Sequence, residues 1–241
     1  GNYKTQYYLA LLTDPPAVNA THITASPSSS DGFYDLNTVV NLTAESPVAI
    51  DAGSRYRFNQ WSGDATGTSP STSITMDSAK TVTAEYLIQY KLTVTSAHDA
   101  PSPGVGDHWY DAGTNVTASV TSPADESGGT RYRCNGWTGT GSVPASGTST
   151  SVTFTLGAPS SITWNWETQF YLAMSVYPPG TGSVSPVSNW YAAGSQVEIA
   201  ATPNSGYFFI NWTGTGSGSY SGSSNPVNIT MNGPITETAN F

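Results

Sequence analysis

Hydrophobic and polar residues alternate with a period of two in short stretches along the whole chain. The alternation is clear in QYKLTVT (89–95), NVTASVT (115–121) and SITWNW (161–166), which are rich in β-branched and aromatic residues. Such alternation places successive side chains on opposite faces of a strand. Gly, Pro, Ser and Asp cluster between these stretches, as turns require, and no segment shows an apolar stripe with the 3.6-residue period of a helix. The pattern predicts an all-β protein.

One segment recurs three times along the chain, as RYRFNQWSGDATG (55–67), RYRCNGWTGTGS (131–142) and GYFFINWTGTGS (206–217). A repeat with a period of about 75 residues indicates tandem structural units. We predict three: unit 1 (1–88, with a longer first hairpin), unit 2 (89–168) and unit 3 (169–241). Each is predicted to be a small β-sandwich or β-grasp-like module of about six strands.

The predicted boundaries between units contain no flexible linker. Two residues separate Tyr86 from Gln89, and two separate Trp166 from Gln169, with neither Gly nor Pro among them. Connections this short and without glycine are not flexible, so the last strand of one unit should run directly into the first strand of the next. A core of this size is marginal by itself, and contact with neighbouring units should stabilise it. The expected arrangement is a stiff rod.

Unit 3 carries the motifs YLAMSVYPPGTGSVSP (171–186), WYAAGSQVEIAATPNSGYFFINWTGTG (190–216) and NPVNITMNGPITETANF (225–241). It resembles the divergent internalin B-type repeats (InlB B-repeat-like), which recur in large surface proteins of bacteria and archaea. Units 1 and 2 fit the same pattern with longer loops. The resemblance implies an extracellular stalk, adhesion or surface-layer role, and it implies no shared catalytic residues.

Composition and charge narrow the function classes. Only 10% of residues are charged and the formal net charge is −9, which suits an extracellular all-β protein with many turns and argues against binding nucleic acid. No run approaches 18 apolar residues, so no membrane span is expected. The single cysteine cannot form an internal disulfide or a thiolate metal site, and no cofactor motif is present.

That cysteine, Cys134, stands between two interpretations. The positive charges of its neighbours Arg131 and Arg133 would favour a reactive site. In the repeat alignment, however, Cys134 falls where units 1 and 3 have phenylalanine, and a buried free cysteine behaves as a small hydrophobe. We favour a packed position, which requires a bulge that the flanking Gly136 permits. The smaller side chain should leave the core of unit 2 slightly underfilled unless Trp164 fills the space. The predicted repeat core is Phe58, Trp61, Cys134, Trp137, Phe209 and Trp212.

Two further sets of side chains have a chemical and a structural interpretation. His98, Asp99, Asp107 and His108 flank one hairpin and could hold a metal. They match no recognised ligand spacing and the sister units lack all four, so a polar loop tip is the alternative. Trp109 and Trp190 could stack on sugars or pack between units, and we favour the second. We therefore predict a non-enzymatic structural protein. The alternative is an adhesin or carbohydrate-binding module of a larger secreted protein.

Five Asn-X-Thr sequons are candidates for N-linked glycans. Strand alternation places the asparagines outward or in a loop, where glycans would shield exposed strands from unwanted pairing. The candidates are Asn19, Asn41, Asn115, Asn211 and Asn228.

The first residues repeat the sequence of the unit boundaries. Tyr3 stands three residues before Gln6, as an aromatic residue stands before Gln89 and Gln169, and Asn2-Tyr3 corresponds to Asn240-Phe241. We therefore expect either a longer covalent array or a homopolymer in which copies join head to tail by strand addition. Tyr3 and Phe241 are the candidate assembly residues.

Overall fold

Strands make up nearly all the regular structure of the chain, whose computed structural model describes residues 3–241. Two short 3-10 helices, Pro16–Val18 and Ala20–His22, lie between the strands Gln6–Asp14 and Ile23–Ser26. Those strands belong to different sheets, so the first hairpin predicted for unit 1 is not formed. No α-helix occurs among the described residues, so the all-β prediction is confirmed. Nor does that part of the chain contain a helix long and apolar enough to cross a membrane.

The strands follow the repeat. Those before the first unit boundary are β1 (Gln6–Asp14), β2 (Ile23–Ser26), β3 (Phe33–Asp35), β4 (Val39–Ala44), β5 (Val48–Ala49), β6 (Ser54–Gly63) and β7 (Ser71–Thr75). The boundary is crossed by β8 (Lys80–Thr95). Unit 2 continues with β9 (Gly106–Asp111), β10 (Asn115–Ser119), β11 (Ala124–Ser127), β12 (Thr130–Thr140), β13 (Ser146–Gly147) and β14 (Ser151–Thr155). The second boundary is crossed by β15 (Ser160–Tyr177). Unit 3 adds β16 (Gly182–Ser185), β17 (Asn189–Ala192), β18 (Gln196–Pro203), β19 (Asn211–Thr215), β20 (Val227–Thr230) and β21 (Ile235–Asn240).

Each unit repeats one pairing scheme within a single 13-stranded sheet. The first strand of a unit lies parallel to its last strand, in the pairs β1–β8, β8–β15 and β15–β21. The last strand also pairs antiparallel with the tryptophan-bearing strand, in the pairs β6–β8, β12–β15 and β19–β21. Because β8 and β15 serve as last strand of one unit and first strand of the next, the sheet passes through both boundaries.

A small antiparallel sheet covers one face of the large sheet in each unit. These small sheets are β2-β4-β7, β10-β14 and β16-β18-β20. In β4 the burial alternates strictly, with Val40, Leu42 and Ala44 buried. Three hydrophobic clusters result, drawn from residues 9–86, 92–164 and 172–239, and each combines residues of the large sheet with residues of one small sheet. The cores thus coincide with the sequence repeat, and each lies between two layers.

The same face of the boundary strands serves two successive cores. In β8 the buried even-numbered residues are Val82, Ala84 and Tyr86 in the first cluster and Leu92 and Val94 in the second. Gln89 has the opposite parity and lies on the other face of the sheet, yet it is only 7% exposed. Something must therefore cover the outer face at the boundary.

The predicted bulge is present in the tryptophan strand. The register of β12 against β15 shifts between Cys134 and Gly136, and β6 shifts at the equivalent place. This shift brings Cys134 and Trp137 onto the same face although they are three residues apart. Gly136 has φ +116°, and a Cβ there would overlap the carbonyl oxygen of Gly147. Only glycine fits that position.

Candidate functional site

The outer face of the sheet at the first boundary is covered by a cluster of long side chains. Arg55 of β6 donates from Nε to Oε1 of Gln89 at 2.9 Å, and its guanidinium lies 4.2 Å from the ring centroid of Trp109 on β9. These contacts bury the glutamine and join strands of units 1 and 2. Trp109 therefore packs between units, as favoured from the sequence.

An ion pair extends this cluster. Arg57 donates from Nη2 to Oδ2 of Asp111 at 2.8 Å and from Nε to Oδ1 at 3.2 Å, while Gln89 donates to the same Oδ1 at 2.8 Å. The arginine lowers the pKa of Asp111. Both charged side chains are more than one-third exposed, so the pair contributes well under about 1 kcal/mol and chiefly sets alignment.

The second boundary repeats the arrangement. Arg131 donates from Nε to Oε1 of Gln169 at 2.9 Å and lies 4.4 Å from the ring centroid of Trp190. Gln169 is 8% exposed. Arg133, the counterpart of Arg57, lies in register opposite Glu167. The repeated Arg-Gln-Trp contact was not foreseen, although each of its residues recurs at corresponding places in the sequence.

The start of the chain carries the side chains equivalent to Gln89 and Asp111, without the arginines that contact them at the first boundary. Gln6 donates to Oδ1 of Asp35 at 3.0 Å, as Gln89 does to Asp111. Lys4 donates to Oδ2 of Asp35 at 2.9 Å and lowers the pKa of that carboxyl. Phe33 stands where the other units have tryptophan, packed against Tyr8 at 5.3 Å between ring centroids. We call Lys4–Tyr8 with Phe33 and Asp35 the head edge. Its glutamine is exposed, unlike the two at the boundaries.

The segment equivalent to the arginine-bearing ones lies in unit 3. Residues 206–210, which we call the tail segment, correspond to 55–59 and 131–135, but they form no strand in the structure. Tyr207, Phe208 and Ile210 are 52%, 73% and 50% exposed. The segments 55–58 and 131–134 pair with the strand that crosses the boundary.

The two candidate assembly residues behave differently. Phe241 packs against Phe209 with ring centroids 6.0 Å apart, as Tyr86 packs against Phe58 at 5.8 Å. Tyr3 is fully exposed. Asn2, which belongs to the same correspondence, lies outside the described residues.

Five of the six candidate core residues are buried. Phe58, Trp61, Cys134, Trp137 and Trp212 are each at most 7% exposed, and Phe209 is half-buried. Trp164 also lies in the core, 2% exposed, against Trp137.

The sequon asparagines are not equally accessible. Asn19, Asn41, Asn115 and Asn228 are exposed. Asn211 is half-buried, and its Oδ1 accepts a hydrogen bond from Asn240 at 2.7 Å. The glycan prediction itself stays a prediction.

The hairpin histidines do not converge. His98 stacks on Tyr132 and contacts Asp125, whereas Nε2 of His108 lies 2.6 Å from the carbonyl oxygen of Gly104. Within residues 3–241 no group of three or more His, Cys, Asp or Glu is placed to hold a metal ion.

One buried acid escaped the sequence analysis. Glu237 is 0% exposed and occupies the register position held by Val82 and Ile162 in the other units. Its Oε1 accepts from the backbone N–H of Tyr220 at 2.7 Å, while its Oε2 has no hydrogen-bond partner. Burial raises the pKa of this carboxyl. Alignment of the last strands would have revealed it.

Comparison with known families identifies the repeat. The family model described as the divergent InlB B-repeat domain matches residues 17–89 and 172–241. No curated protein and no solved structure matches the chain. The matched ranges cover most of units 1 and 3, and they agree with the resemblance drawn from the motifs.

Proposed function

Since the chain belongs to the divergent InlB B-repeat family, we propose that it is a non-enzymatic structural protein of the cell exterior, built as a stiff rod of three modules. The modules are units 1, 2 and 3. In this role the chain serves as a subunit of a surface filament, stalk or surface layer.

The continuous boundary strands are the observation that carries this proposal. A hinge needs a few residues free to change their backbone angles. At both boundaries these residues belong to strands of 16 and 18 residues that are hydrogen-bonded to their neighbours. The Arg-Gln-Trp contacts add side-chain packing on the outer face. Bending at a boundary would break several of these bonds together.

Small-angle X-ray scattering of the full chain tests the rod. The expected pair-distance distribution is that of one elongated particle, unchanged between low and high salt. The matched control carries a Gly-Ser-Gly-Ser insertion between Leu87 and Ile88, which should produce a broad ensemble of shorter particles. If the unmodified chain scatters like the insertion variant, the rod is wrong.

The proposal includes location and assembly. The protein is exported, carries N-linked glycans on its exposed sequons and forms head-to-tail contacts, either between separate copies or between modules of a longer covalent array. Protease treatment of intact cells should remove it from the surface, and electron microscopy of native material should show filaments or a lattice. Protection from the protease in intact cells, with digestion only after lysis, would contradict the exterior location.

The adhesin or carbohydrate-binding alternative receives less support. Sugar-binding grooves use exposed aromatic rings, but Trp109 and Trp190 both lie under arginines of the preceding unit. Those rings contribute to contacts within the chain.

A further inference from the structure

We propose that the tail segment of one copy pairs as a β-strand with the head edge of a second copy of this chain. In this contact Phe208 takes the place of Arg57 and Lys4 takes the place of Leu87, so the cation and the apolar residue change strands relative to the first boundary. The inference deepens the head-to-tail assembly proposed above and rests on it. The two internal boundaries are the pattern for this contact, because there the segments equivalent to the tail segment and the head edge already pair.

The register of the internal boundaries specifies which residues would meet. Arg55 pairs with Gln89 and Arg57 with Leu87 at the first boundary. Applied to the head edge, this register sets Gly206 opposite Gln6 and Phe208 opposite Lys4. The backbone N–H of Tyr8 would then donate to residue 204, as Lys91 donates to Gly53 at 2.9 Å.

Charge at this contact is balanced in every case. The first boundary joins Arg57, Leu87 and Asp111, which are a cation, an apolar residue and an anion. The second boundary has a cation opposite an anion, with alanine in the third place. The proposed contact joins Phe208, Lys4 and Asp35. Here the apolar residue comes from the tail and the cation from the head, and the aspartate keeps a cationic partner.

The position of Arg55 and Arg131 also differs in a matched way. At each internal boundary this arginine contacts a tryptophan, Trp109 or Trp190. Tryptophan is the ring that binds a cation best. The head edge has Phe33 instead, and the tail segment has Gly206 in place of the arginine. The loss of the cation and the loss of its preferred ring therefore coincide on two surfaces far apart in the sequence.

Exposure agrees with this pairing. The side chains that the contact would cover are uncovered in the structure, including Gln6, whose two counterparts are 7% and 8% exposed. Unpaired strand edges with exposed apolar side chains are templates for adding a strand. A contact between two different surfaces does not close on itself unless its rotation generates a ring, so repetition gives a filament.

The test uses two exposed positions whose substitution should leave folding intact. Phe208→Arg places two cations opposite each other, and Lys4→Leu leaves Asp35 without its cation. Each single variant should self-associate roughly five- to tenfold more weakly than the parent chain. Phe208→Arg sets like charges directly opposite across the strands, which is destabilising, and Lys4→Leu leaves a carboxylate covered by the contact without a cationic partner. The double variant recreates the Arg57, Leu87 and Asp111 arrangement and should associate as the parent does. Val187→Arg, at a 75% exposed position outside both surfaces, is the control.

Sedimentation equilibrium over a concentration series gives the weight-average mass of each protein. An equimolar mixture of the two single variants should also regain assembly, since contacts between unlike chains are either parental or of the first-boundary type. A folding defect cannot be rescued in this way. A parent chain that stays monomeric at all concentrations overturns the inference, as do single variants that assemble like the parent. If such a chain still scatters as a rod and lies on the cell surface, the proposed function stands without this contact.

Discussion

In the core of unit 2, Trp164 fills the space that the small side chain of Cys134 leaves, and substitution of these two residues tests this compensation. In units 1 and 3 the core tryptophan packs against phenylalanine, with Phe58–Trp61 and Phe209–Trp212 ring centroids 5.2 and 5.6 Å apart. In unit 2 the phenylalanine is Cys134, and Trp137 packs instead against Trp164 at 5.8 Å.

The magnitudes follow from burial. A buried tryptophan removes about 150–250 Å² from water, and at about 25 cal/mol per Å² this corresponds to roughly 4–6 kcal/mol. Nε1 of Trp164 has no hydrogen-bond partner, so Trp164→Ala loses no hydrogen bond and should cost about 3–5 kcal/mol. Cys134→Phe alone adds a ring to a filled core and should cost about 1–3 kcal/mol.

The double variant copies the residues of unit 1, Phe58 with Ala84, and should be destabilised by less than Trp164→Ala alone. Native-state hydrogen exchange of the full chain measures this, because it resolves the amides of unit 2 from the rest. Unit 1 amides serve as the internal control. A double-variant cost within about 0.5 kcal/mol of the sum of the single costs means independent sites, and it would refute the idea that one residue fills space left by the other.

The remaining predictions concern single sites. Because burial raises the pKa of Glu237, its carboxyl favours folding most fully while protonated, below the ordinary glutamate value of about 4.3; that contribution is lost as pH rises through the folded-state pKa. Hydrogen exchange of unit 3 should show this decline, and Glu237→Gln should flatten it; an equal slope in the variant would exclude the carboxyl as its source. Arg55→Ala should lower the protection of the first-boundary amides by about 0.5–1.5 kcal/mol through loss of the glutamine bond and the contact with Trp109, and unchanged protection would mean that the contact adds nothing. Glycopeptide mapping of native protein should find the lowest occupancy at Asn211, whose amide is already engaged; bare asparagines at all five sequons would refute glycosylation. Cys134, 5% exposed, should react with a thiol reagent only after unfolding, and fast labelling of the native chain would contradict a purely structural role.

Much of the architecture was accessible from local patterns. Alternation with a period of two identified strands because one face of each strand is buried, as in β4. The alignment of the three units identified the core position of Cys134 and the need for Trp164 to fill it. Both are properties of neighbours along the chain or of corresponding positions in the repeat, and the sequence contains them directly.

Contacts between strands that are distant in sequence required the structure. That the first strand of each unit lies parallel to its last follows from hydrogen-bond register, as in the pairing of Leu9 with Lys80, and no local pattern encodes it. The contact of Arg55 with both Gln89 and Trp109 likewise depends on three strands meeting on the outer face. Glu237 shows most clearly what the sequence does not determine. Its position in a strand predicts burial. Which of its carboxylate oxygens is hydrogen-bonded depends on the strand pairing and on the loop whose Tyr220 N–H donates to Oε1, while Oε2 has no partner. The sequence by itself determined the strands, the repeat and the core positions, because these depend on local periodicity. Only tertiary structure decided which edges are paired and which remain open, because pairing depends on where the folded backbone brings distant segments together.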